Sequence, residues 1–219
     1  MLSEPAAPAD PGNARREHWQ RAWTSKPATA TSWYQLLPTV SLELIAAATD
    51  ERSLPLIDIG GGASTLVDAL LDAGWQDLSV LDISAAALAV ARERLGAAAA
   101  SVRWLEIDLL DATLLREYAI WHDRAVFHFL TDPVDRERYR QLAEASVRPG
   151  GQLIIGSFAE DGPLQCSGLP VQRHSALTIA AALGDAFELL ETRRETHLTP
   201  SGNAQHFVYC RFVHRGTYP

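Results

Sequence analysis

The chain has 219 residues, of which 47% are hydrophobic and 21% charged, so it is long enough to bury the core of one full globular domain. Its net charge of −8 and its dispersed basic residues argue against nucleic acid or an anionic membrane as a partner. We expect a cytoplasmic protein, because the two cysteines form no C-x-x-C pair, no stretch reaches the ~20 apolar residues of a membrane span, and the N-terminus lacks a signal-peptide pattern.

The N-terminal part of the chain is predicted to lie outside the main sheet. Residues 1–12 are rich in proline and alanine, which is typical of a disordered tail, and residues 13–50 are predicted to form a helical segment with helices near 14–23 and 39–50. This segment concentrates aromatic and imidazole side chains, namely His18, Trp19, Trp23, Trp33 and Tyr34. Their bulk must be buried, either as core packing or as a lid on the open edge of the sheet, and we favour a lid over residues 14–35.

The stretch from Leu56 to Ser64 predicts a buried strand, a glycine turn and the start of a helix. Apolar residues three and four positions apart follow the turn, with Ser64 as the expected cap of the helix and Gly74 as its stop. Glycines let a ligand approach the backbone, and the helix N-terminus offers unpaired N–H groups. This pattern favours a nucleotide-type pocket.

The spacing of the glycines decides which nucleotide is expected. The dinucleotide fingerprint requires glycine at its first, third and sixth positions, and the sixth position counted from Gly60 is Thr65. The run Asp58-x-Gly60-x-Gly62-x-Ser64 instead resembles the acidic-x-Gly-x-Gly-x-Gly loop of class I S-adenosylmethionine-dependent methyltransferases, with serine in place of the last glycine. The resemblance implies that Asp58 and the three glycines, Gly60, Gly61 and Gly62, contact the methyl donor.

Two further acidic residues follow predicted strands. Residues 78–82 end in Asp82, twenty residues after Gly62, and the resemblance implies that its carboxylate accepts both ribose hydroxyls, with Ile83 beside it. After a helix over residues 85–95, a third strand leads to Asp108, which in the family pattern contacts the adenine amino group, with Leu109 alongside. The alternative for Asp108 is a solvated acidic turn.

The second half of the predicted sheet starts with a strand over residues 118–121. Residues 122–125 are predicted to follow the end of this strand. Asp132 and Pro133 suit the start of a helix. The run Pro149-Gly150-Gly151 is expected to be a turn into a fifth strand, as in the family. The long loop over residues 159–170 is expected to serve a site.

Toward the end of the chain the sequence favours a helix near 175–183 and then two strands, 187–198 and 205–214. Residues 199–203 between these strands are of the types found in hairpin turns. Class I methyltransferases close their sheet with such an antiparallel pair. We therefore expect an α/β fold, a Rossmann-like three-layer sandwich with a mainly parallel seven-stranded sheet closed by a C-terminal antiparallel hairpin. Residues 51–219 would form the methyltransferase domain.

Within that class, residues 120–125 resemble the Trp-Asp-Arg-Gly segment of thiopurine-type methyltransferases and also tellurite-resistance-type enzymes, with an inserted histidine and alanine in place of glycine. The resemblance implies a small, soft nucleophile such as a thiol, selenol or metalloid. Arg124, His122 and His128 are the candidate catalytic residues. Arg124 could steer an anion or lower a thiol pKa, and either histidine could act as the base if the nucleophile arrives protonated. The alternatives are structural histidines and an Arg124–Asp123 pair.

The remaining expectations concern ligands and partners. Cys166 is either a site thiol or a small buried apolar residue. No metal is expected, because the seven histidines include no i, i+4 pair. We predict an enzyme that uses S-adenosyl-L-methionine, releases S-adenosyl-L-homocysteine, methylates a small molecule, and is a monomer or homodimer. The alternatives are a protein side-chain (lysine-type) methyltransferase and a non-catalytic binding module.

Overall fold

The computed structural model describes residues 11–216 of the chain. The helices of this part are α1 (Pro11–Thr24), α2 (Thr39–Ala48), α3 (Leu66–Asp72), α4 (Ala85–Leu95), α5 (Pro133–Ser146) and α6 (Ala176–Leu183). The strands are β1 (Leu56–Ile59), β2 (Leu78–Asp82), β3 (Val102–Glu106), β4 (Tyr118–Arg124), β5 (Val147–Phe158), β6 (Gln165–Cys166), β7 (Leu169–Pro170), β8 (Phe187–Leu198) and β9 (Ala204–His214).

Seven of these strands form one sheet in the order β3-β2-β1-β4-β5-β9-β8. The first five strands of that order are parallel, and β9 runs antiparallel to both β5 and β8. The strand order reverses between β1 and β4, and ligands of open α/β sheets bind outside the carboxyl ends of strands at such a point. This arrangement confirms the predicted Rossmann-like fold with its antiparallel closing pair.

The sheet carries an apolar cluster on each face, which gives three layers. The strand β1 shows the alternation, since Ile57 and Ile59 belong to one cluster while Leu56 belongs to the other. Every residue of β1 and β2 is buried, as expected for parallel strands that are covered on both faces. The two clusters hold the carboxyl ends of β1 to β4 in fixed positions.

Several predicted helix ends are confirmed by their hydrogen bonds. The side chain of Ser84 accepts from the third residue of α4, Asp132 caps α5, and Ser175 forms a reciprocal capping box with Thr178. The expected cap at Ser64 is displaced by one residue, because α3 begins at Leu66. The hydroxyl of Ser64 nevertheless accepts from the Leu66 N–H at 3.1 Å.

Two predicted boundaries in the second half of the sheet are wrong. The strand β4 continues through Arg124, since Asp58 and Ile59 of β1 pair with residues 122 and 123. The strand β5 already begins at Val147, so Pro149–Gly151 is not a turn before it. These residues form an irregularity within β5, where Gly150 takes a φ of 75° and pairing with β4 moves from Val147 to Gln152.

The first helix begins earlier in the chain than predicted. The helix α1 starts at Pro11 and therefore covers the last two residues of the expected tail, whereas residues 1–10 lie outside the described residues. The loop over residues 159–170 contains the short β6–β7 hairpin. Among the helices of residues 11–216, none has the length and apolar character to cross a membrane.

Candidate active site

A cleft opens at the carboxyl ends of β1 to β4 and divides into two cavities. The larger has a volume of about 160 Å³ and the smaller about 50 Å³, and both reach Gly60 and Arg124. The larger cavity is lined by many predicted site residues, namely Trp19, Trp33, Gly60, Asp82, Ile83, Asp108, Leu109, Arg124 and Cys166. The smaller one is lined by Trp33, Tyr34, Asp58, Gly60, Gly61, His122 and Arg124.

The glycine loop shapes the floor of this cleft. Gly60 has a φ of 64°, and a Cβ there would lie 2.1 Å from Cγ2 of Val126. Gly62 has a φ of 35°, and a Cβ there would lie 2.5 Å from Oδ2 of Asp82. These left-handed conformations and close approaches leave no room for side chains. The loop therefore needs glycine at both positions.

The two carboxylates at the ends of β2 and β3 are buried but face the larger cavity. Asp82 accepts a hydrogen bond from the Ser84 N–H at 2.8 Å. Burial, and to a smaller extent the carboxylate of Asp58, raise the pKa of Asp82 to about 7, although the hydrogen bond from Ser84 acts in the opposite direction. Asp108 accepts from the Leu110 N–H at 3.0 Å, so it is not the solvated turn of the alternative reading.

Helix α1 adds a cavity residue that the strand-end patterns do not indicate. The guanidinium of Arg15 donates from Nε to Oδ2 of Asp108 at 2.8 Å, across 93 positions of sequence. Arg15, Trp19 and Trp23 stand four residues apart, so they share one helix face, and all three line the larger cavity. The i, i+4 spacing of these residues is the sequence signal that could have found Arg15.

His122 is built into the scaffold beneath the smaller cavity. Its Nδ1 lies 2.7 Å from Oδ1 of Asp58, and its Nε2 lies 2.9 Å from the hydroxyl of Ser41. The side chain is buried, and both ring nitrogens already have partners. His122 therefore joins β4 to β1 and α2, and the predicted role in proton transfer does not fit this arrangement.

His128 lies outside the lining of both cavities, and its side chain is fully buried. Its Nδ1 accepts from the Phe158 N–H at 3.4 Å. Burial, and to a smaller extent the positive charge of Arg124, lower the pKa of His128 to about 3. A neutral imidazole without access to the cavity does not fit the predicted catalytic role, and the structural alternative describes it better.

Arg124 borders both cavities but is held by the protein. Its Nε donates to the Tyr209 hydroxyl at 2.8 Å, its Nη1 donates to the Trp33 carbonyl at 3.0 Å, and Nη2 lies 3.9 Å from Glu195. The expected alternative pair with Asp123 is absent from these contacts, because Asp123 accepts from two backbone N–H groups of the turn that follows β4. Arg124 thus ties the connection before α2 to the sheet.

Aromatic rings form the remaining wall of the larger cavity. Trp19 packs edge-to-face against Phe129 at 5.0 Å and against Trp33 at 6.1 Å, and Trp23 packs against Trp33 at 5.6 Å. His18 contacts Trp19 from outside the cavity lining. Burial raises the pKa of the Cys166 thiol to about 11, so it is protonated at neutral pH.

Comparison with known proteins identifies the central part of the chain. Residues 56–151 match the family described as a methyltransferase domain. This part of the chain is therefore similar to a methyltransferase domain. This match agrees with the predicted enzyme class, and it covers the glycine loop, both acidic strand ends and the whole of β4.

Solved structures with the same fold have low sequence identity to this chain. A protein studied for the conversion of a disulfide bond into a thioacetal group during echinomycin biosynthesis is 16% identical with a TM-score of 0.76, and the match covers 93% of both chains. An S-adenosylmethionine-dependent methyltransferase from Anabaena variabilis is 18% identical with a TM-score of 0.72, covering 98% of this chain and 99% of the other. The 1,6-didemethyltoxoflavin-N1-methyltransferase of Burkholderia thailandensis is 18% identical with a TM-score of 0.69, and the match covers 98% of this chain and 93% of the other. No curated protein matches the sequence.

Proposed function

We propose that the protein transfers a methyl group from S-adenosylmethionine to a small-molecule acceptor and releases S-adenosylhomocysteine. The observation that carries the proposal is the convergence of Asp82 and Asp108 on one cavity beside the glycine loop. Fold neighbours crystallised with these two ligands support the same donor, namely an N-methyltransferase from Bradyrhizobium japonicum with S-adenosylhomocysteine and a glycopeptide N-methyltransferase with S-adenosylmethionine.

The residues of the cleft suit the chemical groups of this donor. Asp108 and Leu109 would hold the adenine, and Asp82 would accept hydrogen bonds from the ribose hydroxyls. The backbone of Gly60 and Gly61 would lie against the methionine part, since these two glycines line the cleft. When bound, the donor supplies an electrophilic methyl group on a sulfonium.

The acceptor would enter at the aromatic end of the larger cavity. Trp19, Trp23, Trp33 and Phe129 would exclude water and position a flat or apolar molecule there. The two predicted histidine bases are engaged or buried elsewhere, and Cys166 is protonated. This set of groups supports an acceptor atom that is nucleophilic without a protein base, such as a soft thiolate sulfur or an unprotonated ring nitrogen. The toxoflavin N1-methyltransferase among the fold neighbours supports a small-molecule acceptor.

The proposal includes the N-terminal lid, but only part of the predicted segment 14–35 is assigned to it. The connection before α2 is pinned, because His197 contacts the Ser32 carbonyl at 2.8 Å and Gln35 donates to Glu195 at 2.7 Å. Helix α1 instead contacts the donor-site loops, through Arg15 to Asp108 and Gln20 to Ser84, so we assign the donor-dependent part of the lid to α1 alone. Donor should protect the trypsin sites on α1, at Arg15, Arg16 and Arg21, and equal cutting with and without donor would remove the lid from the proposal.

The test of the proposed function has a binding step and a transfer step. Isothermal titration calorimetry should give saturable binding of S-adenosylmethionine and S-adenosylhomocysteine to the full chain. Radiolabelled donor is then supplied with thiols, nitrogen heterocycles, selenite, tellurite, arsenite and a whole-cell lysate, and the label should enter a small molecule. Absence of saturable binding would refute the donor, and label found only in protein would replace the small-molecule acceptor with a protein side chain.

A further inference from the structure

Helix α1 contacts the loops at the carboxyl ends of both donor-site strands, and these contacts are polar. Arg16 donates to the Ile83 carbonyl at 3.2 Å. The side-chain oxygen of Gln20 accepts from the Ser84 hydroxyl at 3.0 Å and from the Ala86 N–H at 3.3 Å. A helix that only covered apolar surface would not need these contacts, so α1 is fitted to the loop that follows β2.

Arg15 makes the corresponding contact at the end of β3. Its Nε donates to Oδ2 of Asp108, while Oδ1 of the same carboxylate accepts from the Leu110 N–H. The Asp108 side chain is 7% exposed, and that of Arg15 is 36% exposed. Each carboxylate oxygen has two lone pairs, so each keeps one lone pair for a further donor although the group cannot rotate.

We infer that Arg15 is a donor-positioning residue, which orients the Asp108 carboxylate toward the adenine amino group and makes donor affinity depend on α1. The inference rests on the proposed function, since it requires the donor in this cavity. Arg15 also lines the cavity itself, on the face of α1 that carries Trp19 and Trp23. Binding at the adenine end would therefore favour the helix position that completes the aromatic wall.

The inference predicts a base preference that depends on Arg15. An adenine amino group donates to a fixed carboxylate, whereas the 6-oxo group of hypoxanthine presents an acceptor to it and is disfavoured. Without Arg15, the Asp108 carboxylate can turn toward water and away from the base. The preference for adenine over hypoxanthine should then decrease together with the affinity.

The experiment compares S-adenosylhomocysteine with its 6-oxo analogue by calorimetry on the full chain. Arg15→Ala should raise the Kd of S-adenosylhomocysteine about tenfold, as expected for loss of a charge-assisted hydrogen bond, and should raise the Kd of the 6-oxo analogue much less. Arg15→Lys should give an intermediate adenine preference. Arg21→Ala is the matched control on the same helix, because Arg21 is exposed and lies outside the cavity lining, and it should bind like wild type.

A double-mutant cycle decides whether Arg15 acts through Asp108. In an Asp108→Asn background, Arg15→Ala should cause no further loss of affinity. Equal losses for both purines, or full additivity with Asp108→Asn, would overturn the inference while leaving the proposed donor intact. If the wild-type protein binds neither compound, the proposed function fails and the inference fails with it.

Discussion

The two ends of the cleft are built from different kinds of residue. The end proposed to bind the donor, here called the donor end, has glycines with left-handed backbone and two buried carboxylates, Asp82 and Asp108, whose positions are fixed by strand ends. The end proposed to bind the acceptor, here called the acceptor end, has tryptophan rings and a phenylalanine, and its cation Arg124 is held by protein groups. The comparison teaches that recognition by hydrogen bonds is concentrated at one end, while the other end offers shape and exclusion of water.

Replacing Gly60 should give the largest effect, because it damages the donor end directly. A methyl group at Gly60 meets Val126 at 2.1 Å and the left-handed φ adds strain, so Gly60→Ala should weaken donor binding a hundredfold or more. Gly74 is a matched control, since its φ is 85° but nothing lies within 4 Å of an added Cβ. Gly74→Ala should cost about 1 kcal/mol of unfolding free energy and leave the Kd of the donor unchanged in calorimetry.

The aromatic end is tested by removing one of its rings. Trp19→Ala should lower kcat/KM for the acceptor by tenfold or more, because a cavity wall that contacts Trp33 and Phe129 is lost. Its effect on the Kd of the donor should be smaller than this loss. Trp104→Ala is the control, because Trp104 lies on β3 outside both cavities and packs against Arg92. Equal kinetic losses in the two variants would contradict the assigned acceptor end.

The same contrast explains which parts of the site could be predicted from the sequence. The end proposed to bind the donor follows consecutive strands, so the spacing of Asp82 and Asp108 along the chain was enough to predict that they meet at one edge of the sheet. The extent of β4 was wrong because His122 and Asp123 have polar side chains, although pairing with β1 buries both of them. Polarity alone does not show where a strand ends when the polar side chains have buried partners.

The acceptor end depends on contacts that local patterns do not encode. Arg124 is held by Trp33, 91 positions away, and by Tyr209, 85 positions away. Its local sequence therefore suggested only a cation for the substrate or a pair with Asp123. The conformation of the turn after Arg124 also could not be predicted from its residue types. Ala125 stands where the thiopurine-type pattern has glycine, and it takes a left-handed φ of 69°. A left-handed φ, which favours glycine, is thus taken here by an alanine.

The pH dependence of donor binding tests the carboxylate at the donor end. The pKa of Asp82 is raised to about 7, so below that pH the group is protonated and accepts fewer hydrogen bonds. Ribose hydroxyls favour the ionised form, so the Kd of S-adenosylhomocysteine should fall as pH rises from 6 to 8 and then level off. The change should approach tenfold in wild type and disappear in Asp82→Asn. A flat profile in the wild type would show that Asp82 does not meet the ribose.

The smallest expected effect concerns the two cysteines. They can be compared directly, because one lies at the acceptor end and the other lies away from it. Both thiols are buried with pKa values raised to about 11, but Cys166 lines the larger cavity and Cys210 lies in the core. If the acceptor end contributes only shape and exclusion of water, Cys166→Ala and Cys210→Ala should each keep kcat within about twofold. Each variant should lose about 1 kcal/mol of unfolding free energy. Initial rates and urea unfolding measure the two quantities. Loss of turnover in Cys166→Ala alone would mean that the acceptor end contributes a reactive thiol, and the contrast between the two ends would then be wrong.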